Sequence, residues 1–182
     1  TVGNSFGTDT VTKEGYITVS EPASISPVLY LPFNEESGST AIDSSGYGND
    51  GIIYGAIRTN GITGGALNFS DSEDYIQFST PVDNTAPFTV ETWVKPAGSS
   101  PTTNQYVIAN GGETSPSYGF ALFYHSESGW TFCIKDDQGW NEANQNSTAP
   151  LPQEWTHLVG VWDGSQNPDS IKLYVNGECA GL

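Results

Sequence analysis

The loop Asp43-Ser44-Ser45-Gly46-Tyr47-Gly48-Asn49-Asp50 gathers side-chain oxygens around two glycines. A hard cation such as Ca²⁺ takes roughly six to eight oxygens from carboxylates, amides and backbone carbonyls, and glycine-rich turns let carbonyls converge. The spacing is not that of an EF-hand. Ser45 and Tyr47 stand where acidic or amide ligands belong, and Tyr54 stands where the bidentate Glu would be. The same residues also spell an Asx-turn loop, in which Asp43 and Asn49 bond only backbone amides.

A second chemistry is available at Gly139-Trp140-Asn141-Glu142-Ala143-Asn144-Gln145-Asn146. An aromatic face stacks on the apolar side of a pyranose ring while amides and carboxylates bond its hydroxyls. Trp140 and Asn144 are therefore candidate sugar contacts, with Trp130 and Tyr118 as neighbours. Loop packing is the alternative role for Trp140. Catalysis has less support. Glycoside hydrolysis needs two carboxylates about 5–10 Å apart, and Glu91 stands alone among Thr89, Trp93 and Lys95. His125 and His157 have no Ser or Cys partner in a motif. The acidic clusters at Asp71-Ser72-Glu73-Asp74 and Asp136-Asp137 read as solvated hairpin tips.

These groups are positioned by strands. Alternating or apolar runs fall at 28–33, 51–54, 66–69, 75–78, 88–95, 106–110, 118–125, 129–135, 156–162 and 171–175, with another beginning at Glu178. None holds a period of 3.6 over three turns, so the chain reads as all-β. Phe88, Val90, Thr92 and Val94 share one face; Thr89, Glu91, Trp93 and Lys95 share the other. Ile171, Leu173 and Val175 likewise oppose Lys172 and Tyr174. Asn176-Gly177 marks a hairpin, because a type I′ turn needs positive φ at both central positions. Many short antiparallel strands with one face buried close into a two-sheet sandwich or a barrel.

Composition narrows the partners. The 182 residues hold 5 Lys+Arg against 21 Asp+Glu, a net charge of −16, yet charged residues are only 14% of the chain, against about 25% in an average domain. Bases are what is missing. That argues against nucleic acid, which demands a basic stripe, and against anionic membranes. No stretch approaches the roughly 18 apolar residues of a membrane-spanning helix. The charge suits an extracellular, calcium-rich setting. Cys133 and Cys179 are the two cysteines. In an extracellular domain two cysteines favour a disulfide, but pairing needs their strands to be neighbours, and two free buried thiols are the alternative.

A family is recognisable in the words themselves. Leu29-Tyr-Leu-Pro-Phe-Asn-Glu-Glu-Ser-Gly38 and Ala41-Ile-Asp43 through Gly51 resemble the opening of a laminin-G-like, concanavalin-A-like jelly-roll domain. Gly65-Ala-Leu-Asn-Phe69, Asp74-Tyr-Ile-Gln-Phe78, Phe88 through Pro96, Glu154 through Val159, Trp162-Asp-Gly164 and Leu173-Tyr-Val-Asn-Gly177 follow in the order of that family. The resemblance implies a two-sheet antiparallel jelly-roll sandwich. It also implies a structural Ca²⁺ with Asp43 and Asn49 as side-chain ligands and the carbonyls of Gly46 and Gly48 contributing. Trp93, Trp155 and Trp162 fall at positions that the family uses in its core and sheets. The resemblance further implies closing strands past Leu182, so the sandwich should be incomplete at its C-terminal end.

Upstream, Asn4-Ser-Phe-Gly-Thr-Asp9 through Tyr16-Ile-Thr-Val19 resembles the final hairpin of a polycystic-kidney-disease-type (PKD) repeat, and Ser20-Glu-Pro-Ala-Ser-Ile-Ser-Pro27 has linker chemistry. The expected organisation is a PKD-like hairpin over 1–20, a linker over 21–27 and the jelly roll over 28–182, cut from a longer protein. The expected role is a non-catalytic, secreted or cell-surface module that recognises polysaccharide, glycoprotein, or a matrix or surface protein. A structural spacer, or an accessory targeting domain of a larger glycoside hydrolase or lyase, are the alternatives.

Overall fold

The computed structural model describes residues 26–79, 86–98, 102–111, 119–136, 139–147, 153–165 and 167–181. The PKD-like hairpin and most of the linker lie outside them. Among the described residues there is no α-helix, hence none long and apolar enough to cross a membrane. The strands are β1 (Thr40–Ala41), β2 (Gly51–Tyr54), β3 (Ile57–Asn60), β4 (Gly65–Asn68), β5 (Tyr75–Phe78), β6 (Phe88–Val94) and β7 (Gln105–Asn110). They continue with β8 (Gly119–His125), β9 (Gly129–Asp136), β10 (Gly139–Asn144), β11 (Thr156–Trp162), β12 (Ile171–Val175) and β13 (Glu178–Gly181).

Two four-stranded antiparallel sheets form the sandwich, in the orders β10-β9-β8-β7 and β13-β12-β11-β6. The alternation read at 88–94 and 171–175 gives the inner face of the β13-β12-β11-β6 sheet. Phe88, Val90, Val94 and Val175 pack against a core that includes Phe120, Leu122, Phe132, Leu158 and Leu173. Each of those last five is at most 2% exposed. Phe88 meets Phe120 at 4.9 Å and Phe132 edge-on at 6.1 Å, which ties the first strand of one sheet to the centre of the other. The sheets meet closely where Gly160 of β11 lies over the Phe132 ring: a Cβ there would stand 2.5 Å from two ring carbons. Asn176 and Gly177 take φ of 53° and 83° and join β12 to β13, as the hairpin signal requires.

A three-stranded sheet β1-β2-β5 and the hairpin β3-β4 complete the fold. Here Arg58, the only arginine of the chain, bonds Glu35 at 2.7 Å and donates to the Thr40 carbonyl at 2.7 Å. It clamps the segment before β1 to β3. Burial alone would raise the Glu35 carboxyl, but the Ile42 amide, its own backbone and Arg58 hold it below the usual range.

Three expectations need correction. Residues 28–33 are not a strand; the Tyr30 amide donates to Asp43 Oδ1 at 3.0 Å, and Phe33 turns the chain at φ 55°. Residues 57–60 and 139–144 are strands that the sequence did not announce. Both are polar edge strands, of which one (β10) carries a single buried residue, Ala143, so neither shows a buried alternation.

Candidate functional site

The outer face of the β7–β10 sheet carries a groove of about 650 Å³. Its form follows from register. Tyr106, Phe123, Thr131 and Asn144 stand in one row across the four strands, and Ala109, Ala121, Cys133 and Glu142 in the next. Beyond them Gly119, Lys135 and Trp140 make a third. Successive rows are two residues apart on β8, β9 and β10, about 7 Å, and three apart on β7, where the register shifts between Tyr106 and Ile108. The middle row is small-sided and forms a trough between two aromatic ridges. Four strands span about 14 Å from edge to edge.

Tyr106 and Phe123 stack at 5.0 Å and 18° to build the first ridge, with Phe123 edge-on to His125 at 6.1 Å. Trp140 builds the other, with the Lys135 ammonium 5.4 Å from its ring centre. Tyr106 is 56% exposed and Trp140 51%, while Ala121, Phe123 and Cys133 beneath are each at most 7% exposed. The trough thus has a dry floor and wettable walls.

Polar groups are few. Glu142 accepts from the Asn144 amide at 3.1 Å. His125 Nδ1 lies 3.3 Å from the Glu127 amide nitrogen and 3.0 Å from Ser128 Oγ. A backbone N–H only donates, so Nδ1 is the acceptor and the neutral ring carries its proton on Nε2. Burial, with the negative charge of Glu142 adding to it and a backbone bond to Ala121 opposing it, pushes the Cys133 thiol up to about 12. It is therefore a neutral floor group. Glu142 is the one carboxylate among the described residues that line the groove.

Of the sugar contacts expected from the sequence, Trp140 and Asn144 lie together with Glu142 on one face of β10, because positions two apart share a face. Trp130 does not join them. Its parity on β9 is that of Phe132 and Ile134, so it points into the core, 4% exposed and edge-on to Tyr124 at 5.4 Å. Tyr118 lies outside the described residues. Tyr106, Phe123, His125 and Glu142 were not anticipated from the sequence. A signal existed in β8, which is apolar on both faces, as strands covered on both sides are.

The two cysteines are free. Cys133 is buried in β9, and Cys179 is exposed on β13 in the opposite sheet, so the disulfide alternative fails for want of neighbouring strands.

In the 43–50 loop Asp43 is 7% exposed and its carboxylate is filled. Oδ1 accepts from the Tyr30 and Ser45 amides at 3.0 and 2.9 Å, and Oδ2 from Ser45 Oγ and the Asn49 amide at 2.7 and 2.9 Å. Although burial alone would raise it, those bonds from Tyr30, Ser45 and Asn49 hold the carboxyl well below the usual range. The Asn49 side-chain nitrogen donates to the Val28 carbonyl at 2.9 Å. Gly46 and Gly48, at φ 94° and 74°, permit the turn. A carboxylate offers about four lone-pair positions, and here donors occupy all of them. As folded, the residues do not fit a cation; Asp43 is the hub of an Asx turn that anchors the segment at Tyr30.

On the opposite sheet His157 Nε2 lies 2.9 Å from Glu91, and its ring stacks on Trp93 at 4.8 Å. Glu91 is thus paired across strands. The Asp71–Asp74 cluster caps its own turn, Asp74 Oδ2 accepting from the Ser70 and Asp71 amides.

No curated protein and no solved structure matches the chain. The family model described as the concanavalin A-like lectin/glucanases superfamily matches residues 70–181, which include β5 through β13, both sandwich sheets and the groove. The chain therefore belongs to the concanavalin A-like lectin/glucanases superfamily.

Proposed function

We propose that this is a non-catalytic carbohydrate-binding module of a secreted or cell-surface protein, and that the β7–β10 groove holds the glycan. The observation that carries the reading is the trough of Ala121 and Cys133 between the exposed rings of Tyr106 and Trp140. Sugar rings present apolar faces to stack on such walls and hydroxyls for Glu142, Asn144 and the His125 Nε2–H. Glu142 is the single lining carboxylate among the described residues, which supports binding over hydrolysis, since most glycosidases use two.

The test is affinity for a panel of polysaccharides measured by calorimetry and pull-down. Trp140→Ala and Tyr106→Ala should each weaken binding at least tenfold, whereas Trp93→Ala on the opposite sheet should not. Equal retention of a polysaccharide by wild type and both groove variants would refute the assignment.

A further inference from the structure

We infer that the groove selects uncharged glycans and rejects carboxylated or sulfated ones, an inference that rests on the carbohydrate-binding reading above. Its ground is where the cations are. The chain has five, Lys13, Arg58, Lys95, Lys135 and Lys172. Arg58 is bound to Glu35 at 2.7 Å. Lys172 is on β12 and Lys95 directly follows β6, both in the sheet opposite the groove. Lys13 lies far upstream in the sequence, outside the described residues. Lys135 alone stands on the groove face, and its ammonium is set over the Trp140 ring at 5.4 Å.

Against that single cation the groove holds Glu142, at the β10 end of the small-sided row. The sequences joining β7 to β8 and β9 to β10 contain no Lys or Arg. No neighbouring stretch of chain can therefore supply the bidentate guanidinium that carboxylate and sulfate recognition favours. The Cys133 thiol, neutral at ordinary pH, offers no compensation. A ligand carboxylate about 6 Å from Glu142 in a surface dielectric of about 20–40 would bind about ten- to a hundredfold more weakly than the hydroxyl it replaces. Hydroxyls, by contrast, can donate to Glu142 and accept from His125 Nε2–H.

The experiment uses one backbone in three forms: a soluble β-glucan, the same glucan with its C6 hydroxymethyl groups oxidised to carboxylates, and its sulfate ester. A neutral mannan, a galactan and chitin oligosaccharides extend the neutral set. At low ionic strength at least one neutral glycan should bind. The acidic forms should bind at least tenfold more weakly than their neutral parent or than the neutral glycan that binds. That gap should narrow with added salt and in Glu142→Gln, whose fold is checked by its melting temperature. Binding of the acidic forms as tight as or tighter than the neutral ones overturns the inference and leaves the groove reading standing. An unchanged ratio in Glu142→Gln also overturns it. Binding of no glycan overturns both.

Discussion

Replacing Gly160 by Ala should loosen the sandwich where β11 packs on the Phe132 ring. The added Cβ would lie 2.5 Å from Cδ2 and Cγ of Phe132 and 2.8 Å from Cε2, whereas carbon atoms in contact prefer about 3.5–4.0 Å. The ring has nowhere to go: Phe132 is fully buried and Phe88 packs on it edge-on. Relief of about 1 Å must come from the sheets parting or the ring leaving its rotamer, at a cost of about 1–3 kcal/mol. Removing glycine from the unfolded chain gives back about 0.4–1 kcal/mol. The net is a destabilisation of about 1–2 kcal/mol, or a melting-point drop of about 2–8 °C for a domain of this size. Urea unfolding should show a lower midpoint with an unchanged slope. In a Phe132→Leu background the same substitution should cost less than half as much, because the plane it strikes is gone. A Gly160→Ala protein within about 0.5 kcal/mol of wild type, or one whose loss is the same in both backgrounds, would show that the glycine is no spacer.

Three further outcomes follow from geometry already described. Native protein should react with a thiol reagent at one cysteine, the exposed Cys179, and at two after denaturation without reductant; a single thiol in the denatured protein would be incompatible with the free pair. Asp43 and Glu35, both held below the ordinary carboxylate range, contribute stability that is complete above that range and is lost as pH falls through their lower folded values. Asp43→Asn should therefore be less stable at neutral pH and show a shallower acid limb than wild type, and parallel pH profiles would contradict the cause given. Because donors fill the Asp43 carboxylate, millimolar calcium should leave the melting temperature unchanged; a clear rise would mean that the 43–50 loop rearranges to accept the ion.

The strands that were legible in the sequence are those with buried side chains, on one face or, as in β8, on both. Residues 88–94, 156–162 and 171–175 alternate because one side meets the core and the other meets water, and the Asn176-Gly177 turn follows from backbone sterics alone. β3 and β10 were illegible because their pairing rests on hydrogen bonds to neighbours and hardly on buried side chains. The groove was half legible. Trp140 and Asn144 share a strand and could be named together, but Tyr106 and Glu142 belong to one site only through the register of four strands. Trp130 was misplaced for a related reason: a tryptophan beside polar residues reads the same whether its strand parity points inward or outward. Cross-strand pairs such as Glu91 with His157, 66 positions apart, leave no local trace.

β8 has both its faces covered. Phe120, Leu122 and Tyr124 hold the sandwich together from one side, while on the other Ala121 lies in the floor of the groove and Phe123 in its first ridge. A groove so built is preorganised: its floor cannot reshape without shifting the strand on which the core is packed. On the proposed reading the floor is ordered at folding and not at association, so the entropy lost on binding a glycan falls on the exposed side chains of the rim, Tyr106, Trp140 and Glu142. Free and occupied forms should then share one backbone and differ in side-chain rotamers at those residues.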